Sequence, residues 1–322
     1  MRDQPPSVAV VMTCYNEGAF IGDAVRSVLT QTVNQRIDQI VIADDGSFPD
    51  TVAVLRAIEE WDDRITVIYG EGGVGLPGQR CRAIAATSAP LLAILDGDDL
   101  WTPDKLEAQL AALATDRSVG LVYSDYYCFP DGSIDQARRA GVLNLTSARN
   151  LTERYFLNDP PIIPSTILLR RNSYEASGGF DPAVRVFEDT DFYLRMARVT
   201  QFALVDRPLI YKRNRSTSIT GGRPDLMAHH AYVAFKAAVD EPELLRLIPR
   251  RLAERARKLG NQRFLLNDPV GATNLLALAI RLDPLNWRAF SSYLAARYFP
   301  ELALTLLGKN GRRRQAALGL SN

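Results

Sequence analysis

The sequence lacks any long uninterrupted apolar run. No stretch approaches the roughly 18 apolar residues that a membrane-spanning helix needs, and the first residues carry no apolar core of a secretion signal. We therefore expect a soluble, unprocessed protein in the cytoplasm.

Histidine and cysteine are also scarce. The only histidines are His229 and His230, adjacent in a helical segment, which argues against histidine-based catalytic triads and histidine-rich metal sites. The three cysteines are widely spaced and form no CxxC pair, which suits a reducing compartment. A metal site in this chain would have to use oxygen ligands.

The net charge of the chain is also close to zero. Lysine and arginine total 38 and aspartate and glutamate 37, a formal net charge of +1. Such a chain has no overall electrostatic attraction for nucleic acid, so we expect no nucleic-acid partner. What is present is apolar: 47% of the 322 residues are hydrophobic, enough for one large domain with an appendage.

Short apolar runs alternate with helical patterns through the first half of the chain. Each run is rich in β-branched residues or leucine and lacks polar alternation, as in strands buried on both faces. This order predicts an α/β fold with a parallel sheet covered by helices. The predicted strands are Val8–Met12, Ile37–Ala43, Ile65–Tyr69 and Leu91–Leu95.

Polar clusters follow three of these runs. They are Thr13–Glu17, Asp44–Ser47 and Asp96–Asp99. The carboxyl ends of parallel strands share one edge of the sheet, where ligands bind in α/β proteins. The three clusters are therefore predicted to meet at one site, although each alone would be an ordinary turn.

The third cluster concentrates negative charge. Asp96, Asp98 and Asp99 lie within four residues, where a divalent cation would relieve their repulsion. Oxygen ligands favour Mn²⁺ or Mg²⁺, with the remaining positions filled by water and substrate phosphates. The alternative is a solvated acidic turn that caps the next helix.

The other two clusters suit a nucleotide. Thr13 offers a hydroxyl and Tyr15 an aromatic face for a base, while Asp44 and Asp45 could accept hydrogen bonds from a pyrimidine and its ribose. A helix-capping loop explains the two aspartates equally simply. Beyond a glycine-rich stretch, Arg80 is a candidate contact for the diphosphate or ribose.

A later acidic pair, Glu188 and Asp189, marks a predicted helix start. If this turn faces the same crevice, Asp189 could serve as a general base for a hydroxyl nucleophile. Acidic residues in the first turn of a helix are sufficiently explained by the helix dipole, so both interpretations stay open.

The middle and the end of the chain are less regular. We expect a loop or lid over residues 124–150, a strand over Ser165–Leu169, and a helical module of residues 223–322 following a first domain of residues 1–222. Part of this module resembles one tetratricopeptide helix pair, and its basic tail is either solvated or a peripheral contact with the inner face of a membrane.

Taken together, the motifs resemble those of glycosyltransferase family 2, whose fold is called GT-A. The segments that carry the resemblance are Val8–Glu17, Ile42–Ser47, Leu95–Asp99, Gly179–Asp181 and Glu188–Asp189. The resemblance implies a mixed, mostly parallel sheet flanked by helices. It also implies inverting transfer of a sugar from a nucleoside diphosphate, usually UDP, to a saccharide or lipid-linked acceptor.

The resemblance also implies roles for single residues. Thr13, Tyr15, Glu17 and Asp44 would line the base and ribose site, and Asp96 and Asp98 would hold the metal and diphosphate. Asp189 would be the catalytic base, with Glu188 supporting the acceptor site.

Two departures from the family pattern stand out. Arg80–Ala83 replaces the usual Arg-Asn-x-Gly, and Tyr211–Asn214 lacks the histidine that often follows. Arg213, Arg215 or Ser218 could take the place of that histidine.

Two other functions fit parts of the pattern. A nucleotidyltransferase would share the metal carboxylates, but the sequence lacks its glycine-rich, lysine-bearing signature near the first strand. A nucleotide-sugar-binding scaffold that acts through the helical C-terminus is the other alternative.

Overall fold

The computed structural model describes residues 6–145, 150–158, 162–215 and 226–300. The chain forms two compact units. The first contains most residues up to Arg213, and the second contains residues from Asn214 onward with two short inserts, Pro130–Gly132 and Phe156–Asp159. The predicted domain boundary at residue 222 lies outside the described residues and stays a prediction.

One mixed sheet dominates the first unit. Its spatial order is β3-β2-β1-β4-β8-β6-β9-β5, with β7 paired to β6. The pairs among β1 to β4 are parallel, and the pairs β4–β8, β8–β6, β6–β7 and β9–β5 are antiparallel. The strands are β1 (Val8–Cys14), β2 (Ile37–Asp44), β3 (Ile65–Ile68), β4 (Leu91–Asp96), β5 (Leu100–Trp101), β6 (Val119–Pro130), β7 (Arg138–Arg139), β8 (Leu168–Arg170) and β9 (Gln201–Asn214).

The mixed sheet and its helices confirm the predicted fold class, although antiparallel pairing takes a larger share than the expected mostly parallel sheet. The four predicted strands at the front of the chain all form. The helices of the first unit are α1 (Ile21–Leu29), α2 (Pro49–Glu59), α3 (Leu76–Ala85), α4 (Lys105–Thr115), α5 (Leu151–Asn158, whose last residues lie in the second unit), α6 (Arg171–Ala176) and α7 (Glu188–Val199).

The central strands are buried on both faces, as their unbroken apolar pattern predicts. Every residue of β1 is buried, and α1 covers one face with Ile21, Ala24, Val25 and Val28. Apolar surface removed from water contributes roughly 25 cal/mol per Å², so this layer stabilises the edge that carries the polar clusters.

The predicted loop over residues 124–150 is wrong in its first part, because β6 continues to Pro130. The sequence did not predict this part of β6, because a buried carboxylate such as that of Asp125 is atypical of a central strand. Its side chain is fully buried and accepts hydrogen bonds from the backbone N–H of Tyr126 (2.8 Å) and of Gly141 (3.0 Å), and it pairs with Arg139. The predicted strand at Ser165–Leu169 begins instead with a 3₁₀ turn and leads into β8.

The second unit is helical, as expected for the C-terminal part. Its helices are α8 (Leu226–Asp240), α9 (Ile248–Leu265), α10 (Pro269–Leu282) and α11 (Trp287–Tyr298). Within the described ranges, no helix is both long and apolar enough to cross a membrane.

The pair α9–α10 packs closely at Gly260. A Cβ placed there would lie 2.9 Å from Leu276 Cγ and 3.1 Å from the Ala272 carbonyl oxygen. Contacts of that kind require the two helix backbones to move apart, so the absence of a side chain sets the distance between the helices.

We predict that Gly260→Val lowers the free energy of unfolding by about 1–3 kcal/mol, because overpacking outweighs the small gain in helix propensity. Urea denaturation measures this. Gln262→Val, at an exposed position of the same helix, is the matched control. Equal stability of the two variants would contradict the close packing.

Candidate active site

Strand pairing brings the three polar clusters to one edge of the sheet. In the register of β1, Thr13 lies opposite Asp96 of β4, and Cys14 lies opposite Asp44 of β2. Neighbouring strands are about 4.8 Å apart, so Asp44 and Asp96 lie roughly 10 Å from each other across β1. The predicted meeting of these clusters is a property of the fold.

Asp44 presents a free acceptor at this edge. Its side chain is 1% exposed, and Oδ2 accepts hydrogen bonds from the backbone N–H of Gly46 (3.1 Å) and Ser47 (3.0 Å). Oδ1 is buried and accepts none from the described residues. An unsatisfied buried acceptor costs free energy until a donor reaches it, which makes Asp44 a candidate ligand contact.

The loop after β1 is bound to the loop after β2. Asn16, in the left-handed conformation (φ 56°), donates its N–H to Ser47 Oγ (2.8 Å) and accepts from Phe48 N with its side-chain oxygen (2.8 Å). The neighbouring Tyr15 is 58% exposed, so its ring is available for stacking, while Thr13 is buried.

Asp45 has a different role from Asp44. Its carboxylate accepts hydrogen bonds from Val74 N (3.1 Å), Gly75 N (2.9 Å) and Gln79 Nε2 (2.6 Å). These contacts hold the glycine-rich loop against the sheet edge. Asp45 therefore fixes this loop, and its predicted nucleotide contact stays a prediction.

The Asp96–Asp99 turn packs on the first loop. A Cβ at Gly97 would lie 2.5 Å from Glu17 Oε2 and 2.8 Å from the Thr13 carbonyl oxygen. Only glycine permits this approach, and it places the Glu17 carboxylate beside the turn. Asp96 and Asp98 are both half-buried and therefore reachable from solvent.

Asp99 is the structural member of the acidic cluster. It is 2% exposed, and its carboxylate accepts hydrogen bonds from Ser165 Oγ (2.7 Å) and Arg213 N (3.0 Å). Burial raises the pKa of Asp99 to about 7, with Asp98 and Asp96 adding to the effect and Lys212 opposing it. Ser165 Oγ also accepts from Asp96 N (3.1 Å), so one hydroxyl connects both ends of the turn.

Two basic residues of β9 support the same turn. Burial alone would lower the pKa of Lys212, but Asp99, Asp98 and Asp96 outweigh it and raise that pKa, so the ammonium stays charged beside them. Arg213 donates from Nε to the Asp98 carbonyl oxygen (3.2 Å). Arg213 is one of the predicted replacements for the family histidine expected at Asn214, and Lys212, which was not predicted, lies in the same segment. Ser218, another candidate for that role, lies outside the described residues.

Arg80 connects the turn to helix α7. Its side chain is 1% exposed and pairs with Asp96 Oδ1 (2.7 Å) and Glu188 Oε1 (2.8 Å). The guanidinium also lies over the Phe180 ring, 5.3 Å from its centroid. The nucleotide contact predicted for Arg80 stays a prediction, and without a ligand its two terminal nitrogens pair with these carboxylates.

The same arginine brings Asp189 to the site. Phe187 precedes α7 in the left-handed conformation (φ 60°), which is strained for a residue other than glycine. Asp189 Oδ1 accepts a hydrogen bond from Thr190 N (2.6 Å). Burial, reinforced by Glu188, raises the pKa of Asp189 to about 7. A carboxyl that titrates near neutral pH is suited to proton transfer.

The acidic turn matches only part of a metal site. Among the described residues there is no group of three or more histidine, cysteine or acidic side chains able to hold an ion. Asp96 and Asp98 nevertheless fit Mg²⁺ or Mn²⁺ in the mode in which one or two carboxylates bind and substrate phosphates complete the shell.

Some residues of the site were missed from the sequence. Ser165 and Lys212 act through hydrogen bonds or charge across distant segments, and neither belongs to an acidic or glycine-rich motif. Asn16 lies in the predicted Thr13–Glu17 cluster, but its contacts with the loop after β2 were not predicted. The one available signal was the departure at Tyr211–Asn214.

A glycosyltransferase is the class that this fold and site define. The family model described as "Glycosyl transferase family 2" matches residues 9–178, more than half of the chain. The chain belongs to that family.

Individual similarities agree with this assignment. WfgD of Escherichia coli, a UDP-Glc:alpha-D-GlcNAc-diphosphoundecaprenol beta-1,3-glucosyltransferase, is 30% identical over 127 residues, which cover 39% of this chain and 48% of WfgD. The chain spans about half the length of several curated relatives that it matches.

Two solved structures share the fold at 16% identity. The crystal structure of S. aureus TarS 1–349 in complex with UDP-GlcNAc has a TM-score of 0.63 and covers 96% of this chain and 92% of its own. The mannosyltransferase PcManGT from Pyrobaculum calidifontis, in complex with GDP-Man and Mn²⁺, has a TM-score of 0.60 and covers 99% and 89%. Both support the GT-A fold.

We predict that Arg80→Met lowers the free energy of unfolding by about 3–5 kcal/mol, because it leaves two partly buried carboxylates without their cation. Thermal and urea denaturation measure the loss. Arg82→Met, on the same helix but hydrogen-bonded to neutral groups, the Gln79 side chain and the Tyr69 carbonyl oxygen, is the control. A stable Arg80→Met protein that binds UDP weakly would instead make Arg80 a nucleotide contact.

Proposed function

We propose that this chain is an inverting, metal-dependent glycosyltransferase that moves a sugar from a UDP-sugar to a hydroxyl group of a saccharide or lipid-linked acceptor in cell-surface polysaccharide or glycoconjugate synthesis. The observation that carries the proposal is the arrangement at one sheet edge. A buried free acceptor (Asp44), two accessible carboxylates (Asp96 and Asp98) and a carboxyl with a near-neutral pKa (Asp189) are brought together by strand register and Arg80.

The base of the donor would bind between the first two loops. The free Oδ1 of Asp44 accepts the imide N–H of uracil, and the exposed ring of Tyr15 stacks on the base. Thr13 and Glu17 border the same space toward the ribose. A UDP donor is further supported by the UDP-GlcNAc complex of TarS and by the donor in the name of WfgD.

The diphosphate would lie over the acidic turn. Asp96 and Asp98 are the residues that would hold Mn²⁺ or Mg²⁺, and the ion would stabilise the charge that develops on the departing nucleoside diphosphate. The Mn²⁺ complex of PcManGT supports this assignment. Lys212 adds a fixed positive charge beside the same carboxylates, which keeps the turn from repelling the anionic donor.

Asp189 would accept the proton of the attacking hydroxyl. Its partial burial excludes part of the solvent, and Glu188, held by Arg80, stays beside it to orient the acceptor. One base on one side of the sugar suits a single displacement, which inverts the configuration at the anomeric carbon.

The proposed acceptor of the sugar and the proposed location of the protein rest on different observations. WfgD acts on a lipid-linked diphosphate acceptor by name.

In the second unit, α11 exposes Trp287 (70%), Phe290 (53%) and Tyr298 (64%) next to Arg288 and Arg297. Exposed aromatic and basic residues favour the membrane surface, so we place the protein in the cytoplasm with a peripheral contact at the inner membrane face.

The decisive substitution is Asp189→Asn. We predict a loss of at least about a thousandfold in kcat, with UDP binding retained, because the base is lost while the donor site is intact. Asp98→Asn should weaken UDP binding in the presence of Mn²⁺, and Asp23→Asn, in an exposed ion pair, should change neither.

Calorimetry with UDP and Mn²⁺ and a donor-turnover assay measure both quantities. Full activity of Asp189→Asn would refute the proposed base. UDP binding by the unaltered protein without turnover for any tested acceptor would favour a scaffold.

The pKa of Asp189 sets a pH dependence. The base must be ionised, and its pKa is raised to about 7, so kcat/KM should fall as the pH drops below about 7 and level off above about 8. Initial rates across pH 5–9 at low donor concentration test this. A profile that stays flat down to pH 5 would contradict an Asp189 base with a raised pKa.

A further inference from the structure

Tyr193 lies four residues after Asp189 on α7. Residues i and i+4 share one face of a helix, so Asp189 and Tyr193 project from the same face of α7. Tyr193 also interacts electrostatically with Asp189, Arg80, Asp96 and Glu188, the charged residues of the candidate active site. No sequence motif had singled it out.

The hydroxyl of Tyr193 is buried without a partner. The side chain is fully buried, and its ring packs edge-on against Tyr155, with 6.0 Å between the ring centroids. Among the described residues nothing forms a hydrogen bond with this hydroxyl. Tyrosine hydroxyls in protein interiors usually have a partner, because a buried unpaired polar group is costly.

A second unpaired atom belongs to the same cluster. Arg80 Nε is buried and also has no hydrogen-bond partner among the described residues, although both terminal nitrogens of Arg80 are paired. An arginine Nε can only donate, whereas a tyrosine hydroxyl can accept and donate at once. The two atoms are chemically complementary.

We infer that Tyr193 is a positioning residue whose hydroxyl accepts a hydrogen bond from Arg80 Nε and donates one to the Asp189 carboxylate when the substrates are bound. The inference rests on Asp189 being the general base proposed above. Tyr193 does not touch the substrate; it acts by holding and stabilising the ionised base.

The expected effect follows from charge. A hydrogen bond donated to a carboxylate stabilises its ionised form, so removing it raises the pKa of the base. Other groups act on the same carboxylate and stay unchanged in the test: Glu188 on α7, Arg80 on α3, Asp96 on β4 and Tyr126 on β6.

The test is the pH profile of Tyr193→Phe. The acidic limb of kcat/KM should move up by about one pH unit, giving a loss of about fivefold at pH 7 and nearly full recovery at pH 9. The KM for the donor should be unchanged. Tyr155→Phe, which removes a buried tyrosine hydroxyl from the neighbouring ring, is the control and should keep the wild-type profile.

The melting temperature of Tyr193→Phe should match that of the unaltered protein, because the lost hydroxyl has no hydrogen-bond partner in the part of the unliganded chain that the structure describes. An acidic limb at the wild-type pH, with or without a uniform loss of rate, would overturn the inference. Retained activity of Asp189→Asn would instead refute the proposed base, whatever Tyr193→Phe does, so the two failures can be told apart.

Discussion

A buried arginine between two carboxylates determines the arrangement of the site. Arg80 pairs with Asp96 at the end of β4 and with Glu188 at the start of α7, two segments 92 positions apart in the sequence. A cation removed from water is stable only when its partners are well placed. The pairs therefore fix α7, and with it Asp189, beside the acidic turn.

Other contacts prepare this interaction. Asp45 holds the glycine-rich loop, from which α3 begins and carries Arg80 inward. Ser165 connects Asp96 and Asp99, so the turn keeps its shape while Asp98 stays accessible. Asp45 and Asp99 stabilise the loops through these hydrogen bonds, and Asp44, Asp96, Asp98 and Asp189 are the acids that we propose for ligand binding and chemistry.

Much of the fold could be predicted because its signals are local. Four apolar runs and the polar residues after them were sufficient to predict the strand edge and the convergence of three clusters. The remainder depended on distant partners. Asp125 is tolerated inside β6 because backbone donors some 16 residues away reach it, and the two carboxylates that pair with Arg80 lie 16 and 108 positions away from it in the sequence. Residue type shows what a side chain can bind, while its partner follows only from the tertiary structure.

The proposed position of Asp189 depends on Arg80 remaining an internal ion-pair partner when the donor is bound. A crystal structure with UDP and Mn²⁺ measures this directly. We expect the uracil imide nitrogen within hydrogen-bond distance of Asp44 Oδ1, the ion at Asp96 and Asp98, and Arg80 still paired with Asp96 and Glu188. Arg80 turned onto the diphosphate, with Glu188 and Asp189 displaced from the acidic turn, would contradict the account.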